Sequence, residues 1–159
     1  MNFRVGFGYD MHRLVEGRDL WLGGIKIDYE KGLYGHSDAD VLIHTICDAL
    51  LGAANLRDIG YHFPDTAEEF HNVDSKILLK KTVSLLREKG YEISNIDSTI
   101  CAEWPKLNPH IPEMQKTLSN VMEIDIDSVS IKATTSEKMG FVGRQEGITA
   151  YAVVLIYKQ

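Results

Sequence analysis

Apolar residues recur along this chain with two periods, and the switches between them divide it into elements. Val41-Leu42-Ile43, Ile46-Cys47 and Ala49-Leu50-Leu51 predict a helix running to about Asn55 that is apolar over most of its surface. Ser37 or Asp38 is suited to its N-cap, because a short side-chain oxygen there accepts orphan N–H groups. An amphipathic helix is predicted over 74–89, with Ile77, Leu78, Val83, Leu85 and Leu86 on or near one face and Gly90 at C′. Another is predicted over 111–122, its Met114, Leu118, Val121 and Met122 serving as core contacts. Strand-like runs cover Phe3 to His12, Tyr91 to Cys101, Val129 to Ala133 and Ile148 to Tyr157. Leu20 to Tyr29 reads as the return strand of a long N-terminal hairpin with a bulge at Gly23-Gly24. Glycines inside the first strand mark a close approach of a ligand or another backbone. Arg57 to Thr66 has no period and reads as a loop, the kind of segment that carries binding residues. The expected fold is therefore α/β (α+β layered): one domain over 1–159, a mainly four-stranded mixed sheet covered by helices on one face, and an N-terminal hairpin.

Composition narrows the function. The chain has 159 residues and is 44% apolar, enough for one domain with a real core. A formal net charge of -6 argues against a nucleic-acid surface, which needs an excess of Lys and Arg on one face. Any phosphate must then be met by local donors or a metal. Cys47 and Cys101 lie in apolar surroundings without CxxC spacing, so they are expected as reduced thiols in a cytoplasmic protein. The first residues lack the apolar core of a signal peptide, and no apolar run approaches a membrane span, so no membrane partner is expected.

Candidate chemistry gathers at two segments. In a strand, Asp10 and His12 are two residues apart and share a face. In the apolar helix, Asp40, His44 and Asp48 lie at i, i+4 and i+8. A core histidine bonded to Asp40 is the plain reading of His44. Together with Asp10 and His12 it instead completes an N/N/O set that leaves a fourth position open, as a catalytic zinc site requires, with Asp40 and Asp48 backing the imidazole. Further on, Thr134-Thr135-Ser136 beside Glu137 offers hydroxyls for phosphate oxygens and a carboxylate for magnesium, or else a plain helix cap. Pro105-Lys106-Leu107 either walls a flat ring or ends a strand.

Seven ordered motifs bear a family resemblance: Gly8-Tyr9-Asp10-x-His12, Gly35-His36-Ser37-Asp38-Ala39-Asp40-Val41, Asp58-Ile59-Gly60, Phe63-Pro64-Asp65-Thr66, Pro105-Lys106, Lys132-Ala133-Thr134-Thr135, and Gly140-Phe141-x-Gly143-Arg144-x-Glu146-Gly147. The chain resembles the 2-C-methyl-D-erythritol 2,4-cyclodiphosphate synthases of the non-mevalonate route to isoprenoids. The resemblance implies release of CMP as the 2-phosphate of 4-diphosphocytidyl-2-C-methyl-D-erythritol 2-phosphate attacks the β-phosphate. It implies that Asp10, His12 and His44 hold a divalent ion, usually zinc, and that Glu137 holds Mg2+ or Mn2+ on the diphosphate. His36 and Ser37 would contact the phosphorylated polyol, and His36 and Thr135 would steady the transition state. Asp58 and Gly60 would meet the ribose, with Phe63, Pro64 and Asp65 on the polyol side. Ala102 to Leu107 (including Pro105 and Lys106), with Ala133 and Thr134, would receive the cytidine diphosphate. The family is a homotrimer with sites between subunits and a central cavity for an isoprenoid diphosphate near Phe141, Arg144 and Glu146. Trp104, Ser136 and Arg57 depart from the residues common in the family. Two other classes use the same features: a zinc-dependent phosphoester hydrolase and an isoprenoid-binding trimer.

Overall fold

In the computed structural model, which describes residues 2–158, the first strand, β1 (Asn2–Glu16), is the longest element and pairs on both sides, with β4 (Lys31–Leu33) and β7 (Gly147–Lys158). It is followed by β2 (Leu20–Leu22), β3 (Ile25–Ile27), β4 (Lys31–Leu33), α1 (Val41–Ala53), α2 (Ile59–His62), α3 (Ser75–Glu88), β5 (Glu92–Cys101), α4 (Ile111–Met122), β6 (Val129–Thr134), α5 (Gly140–Gly143) and β7 (Gly147–Lys158). The main sheet has the order β4-β1-β7-β5-β6. β1 pairs antiparallel with β7 from Asn2 opposite Lys158 to Arg13 opposite Gly147, and β5 pairs antiparallel with β7 and parallel with β6.

The α+β class is as expected, but the sheet has five strands rather than four. The additional strand, β4, is a three-residue edge paired with the far end of β1, Leu14 opposite Leu33, and so short a run carries no readable alternation. The expected long hairpin is also redrawn. Leu20–Ile27 folds on itself as a separate two-stranded ribbon, and Gly23-Gly24, both at positive φ, is its turn rather than a bulge. The chain still returns antiparallel beside β1, through β4.

Alternation in β1 puts Gly6 and Gly8 on the inner face and leaves Phe3, Val5, Phe7, Tyr9 and Met11 exposed on the other. The two glycines are required by α1. A Cβ on Gly6 would stand 1.9 Å from the carbonyl oxygen of Ala49, and one on Gly8 2.0 Å from that of Thr45, so helix backbone rests directly on strand backbone. Ile148, Ala150, Ala152, Val154 and Ile156 of β7 and the buried side of α1 fill the space beside this contact. α3 ends at Glu88 with Gly90 at positive φ, and α4 spans Ile111–Met122, both matching the helical periods. Among the described residues no helix is long and apolar enough to cross a membrane.

Candidate metal centre and flanking cavities

The register that sets Gly8 against Thr45 continues along β1 and carries Asp10 and His12 to the first turn of α1, where His44 points back at them. His12 Nε2 lies 3.0 Å from Asp10 Oδ2 and 3.1 Å from His44 Nδ1, and His44 Nδ1 lies 3.5 Å from the same carboxylate oxygen. Three ligand atoms held around one tetrahedral ion at about 2.0–2.1 Å would lie roughly 3.3 Å apart, so this donor set fits a zinc-like divalent ion. Asp10 is oriented by its neighbours: Met11 N donates to Oδ1 at 2.8 Å, and Thr149 Oγ1 donates to its carbonyl at 2.8 Å. Burial works to raise the Asp10 pKa, but the hydrogen bonds and charges of His12 and His44 outweigh it and hold the carboxyl well below its ordinary range. For His44, burial opposes protonation, while Asp10 and then Asp40 and Asp38 overcome it and raise the imidazole.

Asp40 and Asp48 do not back His44. Asp40 is fully buried and is itself the N-cap of α1, accepting from Ile43 N at 3.0 Å; Gly23 N and Gly24 N of the ribbon turn also donate to it, at 3.0 and 2.7 Å. Burial and then the Asp38 charge push its carboxyl up, and these N–H groups pull it back. Asp48 accepts from Ile59 N at 2.8 Å and so anchors α2. The groups that do meet His44 Nε2 are the hydroxyls of Ser75 at 3.0 Å and Ser37 at 3.2 Å. Neither Ser37 nor Asp38, the expected caps, caps α1: Ser37 Oγ meets His44 and the N of Ala39, and Asp38 is occupied by the backbone N and hydroxyl of Ser75.

The centre opens into a cavity of about 670 Å³. Among its walls are the expected His36, Gly60, Phe63 and Asp65, and also Arg18, Tyr34, Ile59, His71, Asn72 and Leu78, to which sequence reasoning gave no role in the site. Arg18 holds the histidine loop in place by donating to the carbonyls of Gly35 at 3.2 Å and Ser37 at 2.8 Å. The His36 ring meets His71 edge-on, with centroids 4.9 Å apart. Nothing in the local sequence marks Arg18 or His71, since both come from turns that only tertiary packing brings here. Asp58 caps α2 by accepting from Tyr61 N at 2.9 Å, and neither it nor Pro64 is among the cavity walls.

A second cavity of about 400 Å³ lies at the ends of β5 and β6, lined by Ala102, Pro105, Lys106, Leu107, Asn108, Ala133, Thr134 and Thr135. It shares no wall with the first. Thr135 Oγ1 accepts from Glu137 N at 3.2 Å, and Glu137 stands exposed at positive φ outside both cavities. Arg144 and Glu146 pair with each other at 3.0 Å on the surface, beside α5. Within one chain, then, the metal ligands come together, and Lys106, Thr135 and Glu137 remain apart from them.

The sequence model of the YgbB family matches residues 3–157. The chain is 70% identical over 158 residues to the 2-C-methyl-D-erythritol 2,4-cyclodiphosphate synthase of Bacteroides thetaiotaomicron, covering 99% of each. Among solved structures it is similar to a 2C-methyl-D-erythritol-2,4-cyclodiphosphate synthase in its CDP-bound form, with a TM-score of 0.90 and 35% identity over 97% of this chain and 100% of that one. It is also similar to the bifunctional IspDF of Campylobacter jejuni, with a TM-score of 0.96 and 41% identity over 99% of this chain and 43% of that one.

Proposed function

The chain belongs to the YgbB family, and from that membership and the site described above we infer that it converts 4-diphosphocytidyl-2-C-methyl-D-erythritol 2-phosphate to 2-C-methyl-D-erythritol 2,4-cyclodiphosphate, releasing CMP. The observation that carries this reading is the convergence of Asp10, His12 and His44 at the wall of a cavity that His36 also lines. In the reaction an oxygen of the 2-phosphate forms a bond to the β-phosphorus while the bond from that phosphorus to the bridging oxygen breaks, and CMP carries the electron pair away. Both reacting groups belong to one molecule, so holding it folded supplies much of the rate and no protein nucleophile is needed.

Asp10, His12 and His44 would hold a divalent ion, zinc by the character of the donor set, which when bound supplies Lewis-acid polarisation of a phosphate oxygen. His36 and Ser37 position the phosphorylated polyol, with Phe63 and Asp65 on its far side and Asp58 and Gly60 near the ribose. Thr135 and His36 donate to oxygens that gain charge as the ring closes, the kind of contact that acts at the transition state. The smaller cavity takes the cytidine diphosphate: Ala102, Pro105 and Leu107 face the base, and Lys106 lies beside the diphosphate. Glu137 would supply a carboxylate for Mg2+ or Mn2+. Enclosure by these walls keeps water from the β-phosphorus, where hydrolysis would compete.

The active unit in this reading is a homotrimer with each site shared across a boundary. Two features support it. The cavities that must hold the two ends of one substrate share no residue within a chain. One face of the sheet also exposes Phe3, Val5 and Phe7 at 54%, 68% and 63%, with Tyr151 and Val153 beside them, a contiguous apolar strip of the kind that marks an interface. The other face of β7, with Ile148, Ala150, Ala152, Val154 and Ile156, belongs to the chain's own core. Phe141, Arg144 and Glu146 would face a central cavity suited to an isoprenoid diphosphate. The two free cysteines fit a cytoplasmic setting. Incubation with the cytidine-diphosphate substrate and magnesium, followed by mass spectrometry, tests the reading: a cyclic diphosphate and CMP are expected. Free phosphates would identify a hydrolase instead.

A further inference from the structure

We infer that Ser75 and Asp38 form a hydrogen-bond relay behind His44 that holds the ring hydrogen on Nε2 and leaves the Nδ1 lone pair to the metal centre, making Ser75 a positioning residue for the ion; the inference rests on Asp10, His12 and His44 being metal ligands. Ser75 is the first residue of α3 and is fully buried. Its backbone N donates to Asp38 Oδ2 at 3.0 Å, its hydroxyl donates to Asp38 Oδ1, and its Oγ lies 3.0 Å from His44 Nε2.

A hydroxyl has one proton to give, and a carboxylate can only accept it. With that proton committed to Asp38, Ser75 Oγ meets His44 as an acceptor, so Nε2 must carry hydrogen. A neutral imidazole protonated at Nε2 has its lone pair at Nδ1. Nδ1 is the atom that faces His12 Nε2 at 3.1 Å and Asp10 Oδ2 at 3.5 Å. The relay therefore presents the ligand lone pair to the centre and turns the N–H away from it.

Asp38 is placed to hold this polarity. Its own N donates to Val73 O at 3.1 Å, and its Oδ1 also accepts from Asp40 N at 3.1 Å, so the carboxylate is clamped between the histidine loop and the start of α3. Ser37 Oγ reaches the same His44 nitrogen at 3.2 Å and accepts from Ala39 N at 3.1 Å, which gives the N–H a second but longer partner. Two separate segments, the histidine loop and the start of α3, thus converge on the rear of one imidazole. The spacing of residues within α1 says nothing about this arrangement, because Ser75 comes from another helix.

The experiment uses the purified full-length assembly and zinc alone, in competition with a chromophoric chelator. Partners of this kind behind a ligating histidine are worth about 10–100-fold in metal affinity, so Ser75→Ala should bind zinc weaker by about that factor. Ser119→Ala, which removes another buried hydroxyl, this one in α4, should keep wild-type affinity. In zinc-loaded wild type labelled with 15N histidine, His44 should show a protonated Nε2 and a metal-bound Nδ1. Wild-type affinity in Ser75→Ala, an equal loss in Ser119→Ala, or zinc found on Nε2 of His44 would each overturn the relay. Wild-type protein that binds no zinc at all would remove the metal reading itself, which separates the two failures.

Discussion

Replacing Asp40 with alanine should be among the most damaging single changes to the fold, although its carboxylate bonds none of the metal ligands. Its carboxylate is 0% exposed and receives the N–H groups of Ile43, Gly23 and Gly24 at 3.0, 3.0 and 2.7 Å. Losing an N-cap costs about 1 kcal/mol, and each buried N–H left without a partner costs about 1–3 kcal/mol. Removing the carboxylate also relieves the cost of burying it beside Asp38, so a net loss of about 3–5 kcal/mol is expected for Asp40→Ala, against the roughly 5–15 kcal/mol available to a domain. Asp40→Asn keeps the shape and one acceptor. Oriented to serve Ile43 and Gly23 it strands only Gly24, so it should lose about 1–3 kcal/mol. Urea unfolding followed by circular dichroism, at one protein concentration because assembly adds to apparent stability, gives both numbers from the midpoint at constant slope. An alanine variant within about 1 kcal/mol of wild type would show that water or a shifted ribbon satisfies the freed N–H groups, and would refute the reasoning.

His12→Ala or His44→Ala should abolish bound metal and turnover together while the circular dichroism spectrum persists; a full complement of zinc by elemental analysis would refute the ligand set. Thr135→Ala should lower turnover by the equivalent of about 2–4 kcal/mol with little change in CDP affinity, and equal losses in both would make Thr135 a ground-state contact only. Gly8→Ala should destabilise by about 3 kcal/mol or more in the same urea assay, because its Cβ would stand 2.0 Å from Thr45 O, between two backbones that must separate to admit it; wild-type stability would mean α1 can slide. His12→Ala and Glu137→Ala chains, each inactive alone, should recover part of the activity when unfolded and refolded together, and no recovery in proven mixed trimers would place the whole site in one chain.

Period and capping chemistry were enough to define α3, α4 and β7, because each is long and its apolar face repeats several times. The metal ligands were legible for a related reason. Two residues on a strand share a face whatever the fold, and His44 had only to be brought near them. What backs the ligand was not legible. Helical spacing placed Asp40 and Asp48 on the same helix as His44, yet Asp40 was taken by the ribbon turn and Asp48 by α2, and the partners came from Ser37 and Ser75. The three-residue β4 and the separate Leu20–Ile27 ribbon were also out of reach, since a strand of that length has no measurable period and its pairing is chosen by what lies beside it. Tertiary structure alone determined that β1 turns its glycines to α1 and its aromatic residues outward, and that Lys106, Thr135 and Glu137 stand away from Asp10, His12 and His44 within a chain. Local sequence sets the conformation and the faces of an element. The distance between elements, and hence the partners of a buried polar group, follows from how those faces pack.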